Sequence, residues 1–241
     1  MKKTILFAVV LASILVTGCR FIGKRIRGNG VIKTEERSVS PFKSVEASGA
    51  IKLMVSQGDL KPVKLEGDEN ILPYVEIRQN GDEIEIGTRR GYNLSPSNDL
   101  IVYVTAPVYD HIEVSGASDI KGQTKIVNPD ALSLEASGAG DIEMEVDAPK
   151  IDAGISGSGS IRLKGQTKEL GIDLSGAGHA YCFDLLSENT KVDISGAGSA
   201  EVYASVKLQA EVSGVGNVRY KGNAQNVTQQ VSGAGSVSKE E

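Results

Sequence analysis

The sequence of 241 residues contains no Trp, only 7 Pro and just 5% aromatic residues. An ordinary globular core leans on large aromatic and aliphatic side chains, so this composition argues against one. There are 2 cysteines, Cys19 and Cys182, and 2 histidines, His111 and His179. No cluster of His, Cys and carboxylates has the spacing of a metal site, and neither a metal nor another cofactor is expected. A formal charge of −5 and a pI near 5.3 leave no basic footprint for nucleic acid. The one long apolar run, Ile5 to Val16, is too short to span a bilayer comfortably. Glycine, in contrast, is abundant at 28 residues, which points to a tightly turning β architecture.

The apolar run follows Lys2 and Lys3, as in a secretory signal peptide. It ends in Val16-Thr17-Gly18-Cys19, which matches a bacterial lipobox: small residues fit the peptidase, and the cysteine thiol receives diacylglycerol. Residues 1–18 are therefore read as a removed signal peptide and Cys19 as a lipidated terminus that attaches the chain to a membrane. Residues 19–30, with Arg20, Lys24, Arg25 and Arg27, read as a basic tether, able to rest on anionic headgroups or merely to solubilise the linker. No Asp follows Cys19, so the inner-membrane retention signal of enterobacterial lipoproteins is absent. The expected location is the outer membrane, on its periplasmic or cell-surface face. With Cys19 acylated, Cys182 has no partner within the chain, and stability must come from packing.

An internal repeat organises the rest. Ser-Gly corners begin at Ser115, Ser137, Ser156, Ser175, Ser195, Ser213 and Ser232, at intervals of 22, 19, 19, 20, 18 and 19 residues, with an earlier copy at Ser48. Residues one and three before each serine are mostly apolar, as are those five after it, the period-two pattern of strands entering and leaving a corner. The glycines allow backbone angles closed to other residues, and the serine hydroxyl is placed to satisfy a turn amide. The residue between the two glycines, nearly always Ala or Ser, is expected to point into a narrow corner. A coil of 19 residues traces roughly 60 Å, enough for two strands and two turns. The expected fold is thus all-β, a parallel β-helix whose coils of about 19 residues turn at Ser-Gly-x-Gly corners. Residues 111–241 form the regular repeats. Residues 31–110 are read as wider, irregular β coils continuous with them, and Arg89 to Asp99, which contains Pro96, as a surface loop.

Further motifs are Pro41-Phe42-Lys43-Ser44-Val45 leading into Glu46-Ala47-Ser48-Gly49-Ala50, and Thr105-Ala106-Pro107 before the first regular coil. With the Ser-Gly-Ala-Gly series, they make the chain from about residue 30 onward resemble the head-GIN domain family (DUF2807), head domains of autotransporter-type adhesins common in Bacteroidetes lipoproteins. The resemblance implies a right-handed β-helix with the shape of pectin lyases but without their catalytic residues, and a role in adhesion.

Two residues before the corner serines stand Glu46, Glu113, Glu135, Gly154, Asp173, Asp193, Glu211 and Gln230. Stacked in parallel, the six acids Glu46, Glu113, Glu135, Asp173, Asp193 and Glu211 form a ladder. It is either a solvated face that discourages lateral aggregation or a weak surface for cations or cationic ligands. Cys182 aligns with Met144, Leu163 and Val202, inward positions, while nearby His179 belongs to an outward row, so the pair does not make a thiolate nucleophile. No catalytic residue is assigned. The expected function is a non-enzymatic envelope lipoprotein whose β-helical surface contacts a glycan or a host or envelope protein. The alternatives are a carbohydrate-active enzyme on a pectin-lyase-like β-helix, which would need acids and arginine converging in a groove, and a self-assembling structural protein that forms homo-oligomers.

Overall fold

The computed structural model describes residues 23–241, so the signal segment and Cys19 lie outside the described residues. Every regular element among these residues is a β-strand, apart from one 3₁₀ turn at Leu72–Tyr74. The chain winds into a β-solenoid of about seven turns.

In the regular part, each circuit has a strand that runs into the corner, such as Lys150–Gly157, and a second that leaves it, such as Asp141–Asp147 one coil earlier. Successive coils pair in parallel and in register, so Ser137, Ser156, Ser175, Ser195, Ser213 and Ser232 stand in one row. Each coil therefore advances the stack by about 4.8 Å. Alternation along the strands sends one apolar row after another inside. Leu134, Ile172 and Val192 lie in one row, Ile155, Leu174 and Ile194 in the next, and Ile142, Ile161 and Val218 in a third, all at most 3% exposed. Removing each such side chain from water is worth about 1.5–3 kcal/mol. Met144, Leu163, Cys182 and Val202 make a further buried row, which places the thiol in the core.

The corner differs from its expected form in two ways. The residue after the first glycine points outward: Ala117, Ala139, Ser158, Ala177 and Ala197 are exposed, and Val215 is 55% exposed. The buried position belongs to the second glycine. A Cβ on Gly159 would lie 2.1 Å from the carbonyl oxygen of Gly140 in the coil before, so the narrow point is a backbone-to-backbone approach that no side chain can enter. The first glycine takes the left-handed region, as at Gly157 with φ +130°. The corner serine, moreover, does not bond the turn amide. That amide reaches across coils instead, as where Ser158 N–H donates to Gly138 C=O at 2.8 Å.

The N-terminal section joins the same stack by different means. Ser44–Gly49 pairs in register with His111–Gly116, so Ser48 stands beside Ser115 although residues 50–110 lie between the two strands in the chain. The N-terminal section mixes parallel pairings, such as Lys52–Gln57 with Ile101–Ala106, with antiparallel ones, where wider coils alone were expected from the sequence. Ile32–Arg37 pairs with Val63–Asp68, and Val75–Asn80 folds back on Glu83–Thr88 across Gly81. In the second pair a two-residue turn, Gly81-Asp82, closes the strands without another full circuit. Two further segments become strands. Tyr92–Ser95, inside the expected loop, pairs in parallel with Lys24–Arg27, inside the expected tether. At the opposite end, the strands Asn226–Gly233 and Ser236–Lys239 form the last described coil, and its Val227 and Val231 are 39% and 41% exposed.

Candidate binding groove

The strand that enters each corner has an alternating outward face, and register decides what that face presents. Glu46 stands beside Glu113, Glu113 beside Glu135, Glu135 beside Gly154, Gly154 beside Asp173, Asp173 beside Asp193, and Asp193 beside Glu211. The six acids of the ladder thus lie in one line, interrupted once by Gly154. A seventh, Glu85, continues the line beyond Glu46 through the parallel pairing of Glu83–Thr88 with Ser44–Gly49. Sequence reasoning missed it because Glu85 precedes no Ser-Gly corner. Only the pairing of a strand from outside the repeat brings it in.

Two residues along the same face runs the row of corner serines. Together the rows line an open groove of about 760 Å³, edged by Glu113, Glu135, Asp173, Asp193 and Glu211 on one side and the Ser137 to Ser213 hydroxyls on the other. Gly154 leaves its midpoint free of a side chain. Like charges one coil apart repel, and the titration of the row reflects it. Partial burial and then Glu113 and Glu85 push Glu46 above the ordinary carboxylate range. Partial burial and then Asp193 do the same for Asp173. Relief is local: Lys191 reaches Asp193 at 2.6 Å, and His111 Nε2 lies 3.4 Å from Glu113.

Chemically, the groove offers acceptors and negative potential to a donor-rich or cationic ligand. Lys191 is the cation among its lining residues, which include neither arginine nor histidine. The carboxylates stand in file and do not converge, and among the described residues no three metal-ligating side chains come together. Cys182 is fully buried and its thiol is pushed up to about 12, chiefly by burial. His179 faces outward, its Nδ1 2.6 Å from Ser199 Oγ.

Residues 41–224 match the family model described as "Putative auto-transporter adhesin, head GIN domain". Solved structures with the same fold include a "putative adhesin" of Bacteroides fragilis, 19% identical with a TM-score of 0.84, covering 89% of this chain and 100% of its own. Another, a "putative adhesin" of Parabacteroides distasonis, is 26% identical with a TM-score of 0.71, covering 90% of this chain and 100% of its own. A third, from the same species, is described as a "putative lipid binding protein". It is 22% identical with a TM-score of 0.75 and also covers 90% of this chain and 100% of its own. No curated protein matches the chain.

Proposed function

The chain belongs to the head GIN domain family of auto-transporter adhesins, and on that ground we propose that it is a non-enzymatic envelope lipoprotein that holds an external partner along its acidic groove. The reading rests on one observation: acid and hydroxyl rows, kept in register by parallel stacking, line the same groove. A partner carrying ammonium or guanidinium groups along an extended segment meets successive carboxylates at the coil spacing and relieves the repulsion between neighbours such as Asp173 and Asp193. Cys19, acylated, supplies the anchor in the outer membrane, and the rigid stack carries the groove away from it.

The groove is tested with an oligolysine peptide titrated into the purified chain at low salt. Asp173→Asn with Asp193→Asn and Glu211→Gln lowers affinity roughly tenfold or more. Unchanged affinity in that folded variant removes the groove from the proposal, and calcium displacing the peptide in wild type assigns it to cations instead. The anchor is tested separately by incorporation of labelled palmitate, which Cys19→Ser abolishes.

A second reading, self-assembly through the last described coil, is favoured by exposed Val227 and Val231 on a strand that pairs with Lys207–Gly214 along one edge and with no other strand among the described residues. A concentration-dependent sedimentation coefficient that Val231→Lys abolishes would support it, and a strict monomer would exclude it.

A further inference from the structure

Around the corner from the groove, the second sheet presents outward positions six and eight residues after each corner serine. In most coils these are ordinary solvated charges that pair between coils, as Lys121 does with Glu143 at 3.6 Å and Lys164 with Glu145 at 3.2 Å. The coil that follows Ser175 departs from this pattern at both positions, and the next coil at one, with Tyr203. The former places Tyr181 and Phe183 there, on either side of inward Cys182, in a chain with only 5% aromatic residues. Both rings are half-buried.

Cations gather around them. The Arg162 guanidinium, registered with Tyr181 from the coil before, lies 4.7 Å from its ring centre, and the His179 ring stacks on the same tyrosine at 6.0 Å and 25°. From two coils further on, Lys221 Nζ and the Arg219 guanidinium lie 5.1 and 6.0 Å from the centre of Phe183. Arg219 is shared between Glu201 and Glu240. Arg162 and Lys221 have no carboxylate within ion-pair distance among the described residues; their contacts are with the ring faces. Core packing does not explain rings that point outward, and solubility is not served by rings on a solvent face.

We infer that this cluster is a binding site for an acidic glycan, an oligosaccharide with carboxylate or sulfate groups. The C–H face of a pyranose packs on Tyr181 or Phe183, and its anionic groups draw Arg162 and Lys221 off the rings into charge-assisted hydrogen bonds. The two cations are rooted three coils apart, about 14 Å along the axis at ~4.8 Å per coil, and lean towards two rings of one coil from opposite sides, so a ligand that engages both runs along the solenoid axis. The site is independent of the acidic groove, and the two take ligands of opposite charge.

The test is calorimetric titration of the full chain at low salt with an oligogalacturonate, a sulfated oligosaccharide of equal length, and the fully methyl-esterified, neutral form of the first. One or both acidic probes bind, and the neutral form binds at least roughly tenfold more weakly. Arg162→Gln with Lys221→Gln costs at least about tenfold in affinity, and Tyr181→Ala with Phe183→Ala abolishes binding. Asp173→Asn with Asp193→Asn, in the groove, leaves this binding intact. Should the aromatic variant fail to fold, the charge pair carries the test, with saturation transfer between wild-type tyrosine and phenylalanine ring protons and the bound sugar as its companion. Failure of both acidic probes to bind, equal binding of the neutral form, or unchanged affinity in the folded charge variant overturns the proposal.

Discussion

The section before His111 and the coils after it build one continuous stack by different means. In the N-terminal section the contacts are individual. Phe42 packs edge-on against Tyr109 with ring centres 6.2 Å apart, and the Tyr109 hydroxyl donates to Ser56 C=O at 3.0 Å. The Arg37 guanidinium donates to the Val75 and Leu72 carbonyls. The fully buried Asp68 carboxylate accepts from Gly30 N–H at 2.7 Å, Ser97 N–H at 2.9 Å and Ser97 Oγ at 2.5 Å, and so ties three distant segments together. In the regular coils the contacts are copies: the same glycine approach, the same cross-coil amide, the same inward rows. Individual contacts let a section take irregular lengths and close an end. Copied contacts fix the strands that meet at each corner, because each coil is the template for the next, and confine the spread of 18 to 22 residues per coil to the segments away from it.

The largest expected effect comes from breaking a copied contact. Gly157→Val places a branched side chain at φ +130° with its Cβ 2.2 Å from Gly138 C=O, and the strain passes to both neighbouring coils. A loss on the order of 3–5 kcal/mol is expected in thermal unfolding followed by circular dichroism. Gly81→Ala in the N-terminal hairpin has φ +61° and no atom within 4 Å of its Cβ, and loses only about 1 kcal/mol. Equal losses at the two sites would erase the distinction between copied and individual contacts.

Next in size is Asp68→Asn, which leaves buried donors short of an acceptor at a cost of about 1–3 kcal/mol. Its pH dependence separates the two regions further. Burial works to raise the Asp68 pKa, but the Ser97 and Gly30 hydrogen bonds outweigh it and hold the group below its usual range. A carboxylate lowered in the fold stabilises above its unfolded pKa, roughly 3.9, and that stability is lost as pH falls through the lower folded value. Burial and then like-charged neighbours raise Asp173 and Glu46, so the cost of keeping them ionised is fully present near neutrality and is relieved as pH falls through their folded values. The unfolding midpoint should therefore rise on mild acidification and fall at lower pH. Asp173→Asn with Glu46→Gln flattens the rise, and Asp68→Asn flattens the fall; a monotonic wild-type profile contradicts both assignments.

Smaller still is Cys182→Ser, which puts a hydroxyl among buried apolar rows at a cost of about 1–2 kcal/mol. The wild-type thiol, fully buried with its pKa pushed up to about 12, should resist alkylation until the coils open, so its labelling rate reports opening of the regular part alone. The smallest effect is expected at the outward corner position. Ala177→Lys should change stability by less than about 0.5 kcal/mol, and a loss above 2 kcal/mol would mean that this side chain packs inward after all.

Much of the regular part was legible in the sequence because one period fixes everything in it. Once the serines are aligned, residues such as Ile155, Leu174 and Ile194 are bound to share a row, and so are Asp173, Asp193 and Glu211. The corner was misread because small size alone does not distinguish a confined side chain from a free one. Val215 was the clue, a large residue at the position taken to be narrow. Glu85 and the strands Lys24–Arg27 and Tyr92–Ser95 were not legible, since their partners lie tens of residues away and no repeat announces them. The aromatic cluster was overlooked although it lies inside the repeat: Arg162 meets Tyr181, and Lys221 meets Phe183, across coils, through side-chain directions that the period alone does not fix.

Parallel stacking in register also makes the molecule a ruler. Adding or removing one coil of 19 or so residues leaves every inward row, both faces and the cross-section as they were, and changes only the length, by about 4.8 Å. Reach can therefore vary in fixed steps through duplication or loss of a single repeat, while what is displayed at either end stays the same.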